Sequence, residues 1–187
     1  MQIKSGSPST RLTIADWEQL QAILSEAHLD YQLELVDGKI IVMGPSDIVS
    51  SEIGAEFGSL LRNWVKPRKL AQVFDSSGGF ILPNSELRAP HVSLVLAARL
   101  KQSKRYFAEL VPHLVVEIKS QSDLLKPLRE KISSFIELGA KVGILIDPDK
   151  RTITIYTPQA EPVVLRDGDM ISIPQLLPGW EVGVTEL

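Results

Sequence analysis

The residues best suited to chemistry lie in the stretch LVVEIKS, residues 114–120, where an apolar run ends in Glu117 and Lys119. Successive strand side chains point to opposite faces, so these two charges share a face about 6.5–7 Å apart along the strand. Ile118 lies between them on the other face. A carboxylate, a backbone carbonyl and an ammonium at one strand end suit phosphodiester hydrolysis. The oxygens can hold Mg²⁺, and the ammonium can orient water or stabilise developing charge.

The pattern E-x-K is common, and taken alone it far more often describes an ion pair at the edge of a strand than a catalytic site. Charges are rarely placed at the buried end of a strand unless they are paired or used. A metal site needs a further acid from elsewhere in the chain. The start of the preceding strand is the place where we expect it.

The elements that must position these residues follow from hydrophobic spacing. Apolar residues at helical spacing predict an amphipathic helix over 14–27 and a second helix that stops before Pro67. The runs YQLELV and KIIVM flank Asp37 and Gly38 and predict a β-hairpin. LAQVF and GGFIL read as strands, and PNSELRAP reads as a loop.

The second half of the chain predicts a βαβ crossover, made of strand 113–119, helix 122–138 and strand 142–147. Before it, residues 91–95 predict a strand and residues 96–108 a helix or helical turn. After it, RTITIYTP alternates as a strand does, and EPVVL, MISIP and LLPGWEVGV predict short strands that close an edge. The fold class is therefore α/β (α+β), a mixed sheet with helices on its faces.

Composition limits the function classes. At 187 residues the chain fits one domain over 1–187, with residues 1–10 a flexible arm. It has no cysteine, which excludes disulfides, a thiol nucleophile and cysteine-ligated metals. No apolar run is long enough to span a membrane and no signal peptide is visible, so we expect no membrane contact and a cytoplasmic location. The net charge of −3 lacks the basic character usual in nucleic-acid binders.

The run RAPHVSLV, followed by LVVEIKSQSD and ELGAKVGILIDPD, resembles the restriction-endonuclease-like nucleases with the PD…(D/E)xK motif. More narrowly, it resembles the Uma family of small endonucleases in that superfamily. The resemblance extends to LELVDGKIIVMGPS, FDSSGGFILPN and KPLREKISSFIELG, and it covers roughly residues 12–182. It implies a restriction-endonuclease-like core, with the N-terminal helix and hairpin added, and a metal-dependent DNA endonuclease activity.

The resemblance also implies roles for individual residues. Glu117 and Lys119 match the acid and the lysine of the motif, and the Ile118 carbonyl matches a backbone metal ligand. Glu34 matches a glutamate that reaches the metal as an outer ligand, and its alternative is a solvent-facing strand residue. Lys131 matches a lysine common in the family, and its alternative is a surface residue in an ion pair.

One position departs from the family pattern. Where the family has Pro-Asp before E-x-K, this chain has Pro90 followed by His91. A neutral imidazole replaces an anionic oxygen, so Mg²⁺ affinity should fall, whereas Mn²⁺, Co²⁺ or Zn²⁺ tolerate the nitrogen better. The resemblance thus indicates a nuclease, and His91 argues against an efficient one. A histidine without any ligand role is the alternative for this position.

Three functions remain open at this point. The first is a divalent-metal-dependent DNA endonuclease, for which a double-strand cut from one site per chain would favour a homodimer. The second is a catalytically inactive homologue that binds nucleic acid or a protein. The third is a globular domain in which Glu117 and Lys119 form only an ion pair. Gln121, just after the motif, could contact DNA or brace a loop.

Overall fold

The computed structural model describes residues 11–29, 31–100 and 107–187. Its helices are α1 (Ile14–Glu26), α2 (Ile48–Val65), α3 (Ala97–Leu100) and α4 (Leu125–Glu137). Its strands are β1 (Gln32–Val36), β2 (Lys39–Met43), β3 (Ala71–Asp75), β4 (Phe80–Ile81), β5 (Leu87–Arg88), β6 (Val92–Leu96), β7 (Leu114–Ile118), β8 (Val142–Asp147), β9 (Thr152–Tyr156), β10 (Val163–Leu165), β11 (Met170–Ser172) and β12 (Glu181–Gly183). None of the helices in these ranges has the length and apolar composition needed to cross a membrane.

A six-stranded mixed sheet forms the centre, in the order β10-β9-β8-β7-β6-β3. β7 and β8 are parallel, with Val116 opposite Ile144, and the other neighbours in this sheet are antiparallel. α4 makes the crossover between β7 and β8, as parallel neighbours require. The mixed α/β fold with helices on the sheet is confirmed.

The alternation of β7 places its side chains in two different cores. Leu114, Val116 and Ile118 lie in the core that includes the buried side of α2. Val115 lies in a second core with Phe135 of α4. Glu117 continues the Val115 side of the strand, so its carboxylate lies under α4 rather than in solvent.

A smaller sheet has the order β2-β1-β5-β4 and is covered by α1. Its hairpin β1–β2 turns at Asp37 and Gly38, where both residues have positive φ, as a two-residue hairpin of this type requires. The expectation of a plain loop at PNSELRAP is wrong in one respect. Leu87 and Arg88 form β5, which joins β1 to β4, because Leu35 of β1 pairs with Leu87.

Three other expectations differ from the structure or lie outside it. Of the predicted helix 96–108, only Ala97–Leu100 is helical; residues 101–106 lie outside the described ranges, and Ala108 forms a bridge with Phe80. β10 extends the central sheet, whereas β11 and β12 form a separate pair packed on the α2 core. The N-terminal arm, residues 1–10, also lies outside the described residues.

α4 packs closely on β8 because β8 has a glycine where the helix approaches. A Cβ atom at Gly143 would collide with the side chain of Ile132, which is fully buried. Lys131, the residue just before Ile132 in α4, is thereby held against the end of the sheet. The packing of one element thus fixes the position of a charged residue in the candidate site.

Candidate active site

Glu117 is the most deeply buried charged residue at the candidate site. It is the fourth residue of β7 and its exposed fraction is 0%. A buried carboxylate needs partners, since isolated charges in a protein interior are strongly disfavoured. Two cationic or protonatable groups supply them, one from α4 and one from the start of β6.

Lys131 of α4 lies between two carboxylates. Its Nζ is 2.8 Å from Glu34 Oε1 and 3.0 Å from Glu117 Oε1. The Glu34 contact is a hydrogen bond, and the same ammonium forms a close ion pair with the buried Glu117 carboxylate. Lys131 also donates to the Ala89 carbonyl at 3.1 Å. One buried ammonium therefore joins β1, β7 and the segment before β6.

Glu34 reaches this point from the hairpin. It lies in the middle of β1, and its side chain is buried, not directed to solvent. Its Oε1 accepts the Ala89 N–H at 2.8 Å in addition to the Lys131 ammonium. The backbone on both sides of Ala89 is thus clamped, because its N–H binds Glu34 and its carbonyl binds Lys131.

His91 closes the other side of Glu117. Its Nδ1 is 2.8 Å from Glu117 Oε2, and its side chain is 17% exposed. An ionised carboxylate can only accept, so Nδ1 carries the proton and donates it. The ring nitrogen Nε2 is then the group that His91 has left for a ligand or a second proton.

The charges of this cluster stabilise one another. Burial alone would raise the pKa of Glu117, but the Lys131 ammonium and the His91 hydrogen bond outweigh burial and lower that pKa. Burial alone would lower the pKa of Lys131, but Glu117 and Glu34 outweigh it and raise that pKa. Both groups are therefore charged at neutral pH, although both are buried.

The structure brings together Glu34, His91, Glu117 and Lys131, but it places Lys119 apart from them. Lys119 follows β7, and its Nζ bonds Asp149 Oδ2 at 2.6 Å and the Ser120 carbonyl at 3.0 Å. Asp149 raises the pKa of Lys119 against the smaller opposing effect of burial, and Asp147 and Asp123 add to the increase. The motif lysine is thus held on the β8 side of the site.

Two further predicted residues have backbone roles. The side chain of Ile118 is buried in the α2 core, which fixes the peptide group beside Glu117. Gln121 donates its backbone N–H to Asp47 Oδ2 at 2.7 Å, and Asp47 also caps α2 through Ser50. This contact ties the loop after β7 to the start of α2 through the backbone of Gln121.

A polar cavity of about 330 Å³ opens beside the cluster. Glu34 and His91 form part of its wall, and the remaining lining residues are Gln32, Leu33, Met43, Gly44, Pro45, Ser46, Ser51, Ser76 and Ala89. Glu117 does not line it, since His91 and Lys131 cover that carboxylate. A ligand in the cavity would meet Glu34 and His91 first.

The residue types suit a divalent cation, although Lys131 lies between the two acids that would share it. Two carboxylates and an imidazole form a donor set typical of Mn²⁺, Co²⁺ or Zn²⁺. The Lys131 ammonium occupies Glu117 Oε1 at 3.0 Å, so a cation must displace that ammonium to reach this oxygen. In the arrangement described for residues 11–29, 31–100 and 107–187, no three His, Asp or Glu side chains converge on one point as metal ligands would. Lys131 or His91 must shift for the set to close on a cation.

Sequence reasoning missed Asp149, Asp47 and Ala89. The parallel pairing of β7 and β8 brings the end of β8, and hence Asp149, next to Lys119, and the βαβ pattern contained that signal. The burial of Lys131 could also have been predicted from the sequence. Lys131 is four residues before Phe135 and so lies on the apolar face of α4. The Ala89 contacts had no signal in the sequence, since any residue has the same N–H and carbonyl.

Comparison with known proteins gives the chain its family. A family model described as "Uma2: Putative restriction endonuclease" matches residues 17–185. A crystal structure described as a putative nuclease belonging to DUF820, from Anabaena variabilis ATCC 29413, superposes with a TM-score of 0.75 and 22% identity over 86% of this chain and 93% of that one. A DrdV–DNA complex overlaps 62% of this chain and 10% of its own, with 14% identity and a TM-score of 0.39. No curated protein matches the sequence. Since the family model matches most of its length, the chain belongs to the Uma2 family.

Proposed function

We propose that this chain is a divalent-metal-dependent endonuclease that hydrolyses phosphodiester bonds in DNA. The observation that supports it most is the meeting of two buried carboxylates, Glu34 and Glu117, beside a polar cavity. Glu34 lies in β1 and Glu117 lies in β7, 83 residues later, in a chain of a restriction-endonuclease family. The Lys131 ammonium lies 2.8 Å from Glu34 and 3.0 Å from Glu117. Bringing two acids together in a protein interior is costly, and functional sites are where such arrangements concentrate.

In this proposal, Glu117, Glu34, His91 and the Ile118 carbonyl hold the cation. His91 offers Nε2, because its Nδ1 already donates to Glu117, and such a carboxylate–histidine pair is a common support for a metal ligand. When bound, a divalent cation supplies a Lewis acid for phosphoryl oxygen and for water. Mg²⁺ is the ion expected for the family, and the imidazole shifts the preference towards Mn²⁺ or another transition metal.

The two lysines have different tasks. Lys131 neutralises the buried acids when no cation is present, and a bound cation takes over part of that charge. Lys119 stabilises the negative charge that develops on the phosphate and orients water. For this task it must leave Asp149, whose carboxylate is 64% exposed and so easily hydrated on release.

The direct test is cleavage of supercoiled plasmid DNA in Mg²⁺ and, separately, in Mn²⁺. We expect cleavage to be faster in Mn²⁺. We expect Glu117→Gln and Lys119→Met each to reduce it by about 100-fold or more, the scale found when one charge-stabilising group is lost. Lys126→Met is the matched control, since Lys126 is 86% exposed and lies on the outer face of α4. Cleavage that survives Glu117→Gln at the control's rate would refute the assignment.

A second function has one observation in its favour. His91 and Lys131 cover Glu117, so the structure also suits an inactive homologue that binds nucleic acid or a protein. Under this reading, His91→Asp restores the family acid and creates cleavage that the natural chain lacks. If the natural chain cuts as fast as the His91→Asp variant, the inactive reading fails.

A further inference from the structure

A pocket with cationic walls lies at the end of α2, away from the candidate active site. It has a volume of about 410 Å³, and three cationic side chains, Arg62, Lys66 and Lys69, line it. The other lining residues are apolar or neutral: Val65, Ala71, Gln72, Val73 and Ala97. No acid of the described ranges lies in its wall. We refer to it as the basic pocket.

The three cations of the basic pocket are exposed and available to a ligand. None of them forms an ion pair with an acid in the part of the chain that the structure describes. Cations elsewhere on the surface do pair, as Arg11 does with Asp37 and Arg151 does with Asp167. A chain with a net charge of −3 thus concentrates three positive charges around one pocket, and such a concentration attracts anions.

The spacing of these cations does not serve the helix alone. Arg62 and Lys66 are four residues apart at the end of α2, and Lys69 follows three residues later. Like charges at a spacing of four destabilise a helix. The negative end of the helix dipole offsets this repulsion for Arg62 and Lys66, because cations are favoured near a helix C-terminus. Lys69 needs a separate explanation.

The backbone at Lys69 is one that usually carries glycine. Its φ is 53°, in the left-handed region. The Lys69 N–H donates to the Lys66 carbonyl and the Leu70 N–H donates to the Val65 carbonyl, each at 3.1 Å, which are the two hydrogen bonds of a Schellman motif. Glycine occupies the left-handed position of that motif without strain, whereas lysine does not. The charge of Lys69 therefore explains its presence better than the turn does.

The basic pocket and the candidate active site lie at opposite ends of β6. His91 comes just before this strand, whereas Ala97, which lines the pocket, comes just after it. The six steps between them span about 20 Å at the usual rise of a strand. One phosphate cannot contact both places, so the basic pocket must have a contact of its own.

We propose that the basic pocket binds phosphates of DNA that lie away from the bond to be cut, as a contact independent of base sequence. Duplex DNA carries one negative charge per about 1.7 Å of its axis. Carboxylates along an extended peptide are at least about 3.3 Å apart, so closely spaced cations suit DNA better than an acidic protein. Arg62 offers a planar fork to a phosphate, and the lysines offer point charges. This inference rests on the proposed function, which supplies DNA as the ligand.

The test is fluorescence anisotropy of the full chain with a short labelled DNA duplex, in EDTA without divalent cation, over a series of salt concentrations. We expect Lys69→Gly and Lys66→Met each to reduce the slope of the logarithm of the binding constant against the logarithm of salt by about 0.9, the effect of losing one phosphate contact. Arg151→Gly is the matched control and should keep the slope. It also removes a cation at a positive φ, but that cation pairs with Asp167.

A slope that Lys69→Gly and Lys66→Met leave unchanged would overturn the inference, and so would an equal reduction in Arg151→Gly. A polyglutamate peptide that binds as tightly as the duplex would also overturn it, because the pocket would then suit an acidic protein. Inorganic phosphate that displaces the duplex at constant ionic strength would show a site for free phosphate instead of DNA.

The melting temperature separates a binding role of Lys69 from a structural one. Lys69→Gly relieves the backbone at a positive φ, so it should keep or raise the melting temperature while it weakens DNA binding. A marked fall in both would show that Lys69 has a structural role, and the proposed contact would lose its support.

Binding in EDTA does not depend on cleavage. Salt-dependent DNA binding through the basic pocket, without any cleavage of plasmid DNA in Mg²⁺ or Mn²⁺, would contradict the proposed nuclease activity and leave the pocket standing. Cleavage together with an unchanged slope in the lysine variants would contradict only the assignment of the basic pocket.

Discussion

The Lys131 ammonium lies 2.8 Å from Glu34 and 3.0 Å from Glu117, so one buried cation balances two buried acids. Removing one partner of a buried ion pair is far more costly than removing an exposed one, because the remaining charge stays desolvated. The charge of Lys131 therefore matters for stability as well as for chemistry.

Lys131→Met should lower the free energy of unfolding by about 3–5 kcal/mol, the usual cost of leaving a buried charge unpaired. Methionine keeps the apolar length of the side chain, so the loss reports the charge. Chemical denaturation measures it. Lys126→Met, on the exposed side of the same helix, should change stability by less than about 0.5 kcal/mol. Equal effects of the two substitutions would show that the Lys131 contacts contribute little.

His113 gives a pH prediction away from the candidate site. Its side chain is 9% exposed, and its Nδ1 accepts the Leu96 N–H at 3.3 Å, so the ring is neutral. Burial lowers the pKa of His113 below the ordinary value of 6.5, and Arg99 and Lys141 lower it further. As pH falls through 6.5, the unfolded chain therefore takes up the proton before the folded chain does, and stability is lost.

We expect His113→Gln to reduce the loss of unfolding free energy between pH 8 and about pH 5.5, because that proton uptake is removed. Denaturant titrations at the two pH values measure the difference. His28→Asn, at an exposed position with a positive φ that asparagine tolerates, is the control substitution. An unchanged slope in His113→Gln would contradict the neutral, buried assignment.

At the scale of elements, the site depends on how closely α4 approaches β8. Gly143 makes that approach possible, because a Cβ there would collide with the buried Ile132. Gly143→Ala should destabilise the protein by about 1–3 kcal/mol, the usual cost of overpacking a core. Gly44→Ala is the control, since nothing lies within 4 Å of its Cβ position. Thermal unfolding that leaves Gly143→Ala as stable as Gly44→Ala would contradict this packing.

The long elements and the short strands β10, β11 and β12 could be predicted from the sequence, whereas the two-residue strand β5 could not. The βαβ unit follows from an apolar strand, a helix with one apolar face and a second apolar strand, all of ordinary length. β5 has two residues, and its pairing with β1 depends on a partner more than 50 positions away. Local patterns carry no information on such a contact.

Within the site, too, local sequence patterns predicted some features, and contacts between distant residues determined the others. The E-x-K spacing predicted where the backbone of Glu117 and Lys119 would lie, and the structure has Glu117 near the end of β7 and Lys119 just after it. It did not predict which way the long Lys119 side chain would turn, since that depends on Asp149, 30 residues later. The approach of Glu34 to Lys131, across 97 positions, depends on how β1 of the smaller sheet lies against α4.

For the whole molecule, the proposal places one acid cluster in each chain. One cluster cuts one strand at a time, so a double-strand break needs two copies, and we include a homodimer in the proposal. Relaxed circles should therefore form first from supercoiled plasmid, with a rate proportional to protein concentration. Linear DNA should follow with a steeper dependence, close to the square. Linear product without a relaxed intermediate, at concentrations where sedimentation shows a monomer, would contradict this expectation.

The central claim is that the buried acids Glu117 and Glu34 bind a divalent cation, and do not only form an internal ion pair with Lys131. Isothermal titration calorimetry with Mn²⁺ tests it without knowledge of the substrate. We predict saturable binding of Mn²⁺ that Glu117→Gln and Glu34→Gln abolish and that Asp149→Asn retains, since Asp149 pairs with Lys119 outside the cluster. No saturable binding by the natural chain, or the same binding in Glu117→Gln, would contradict the claim.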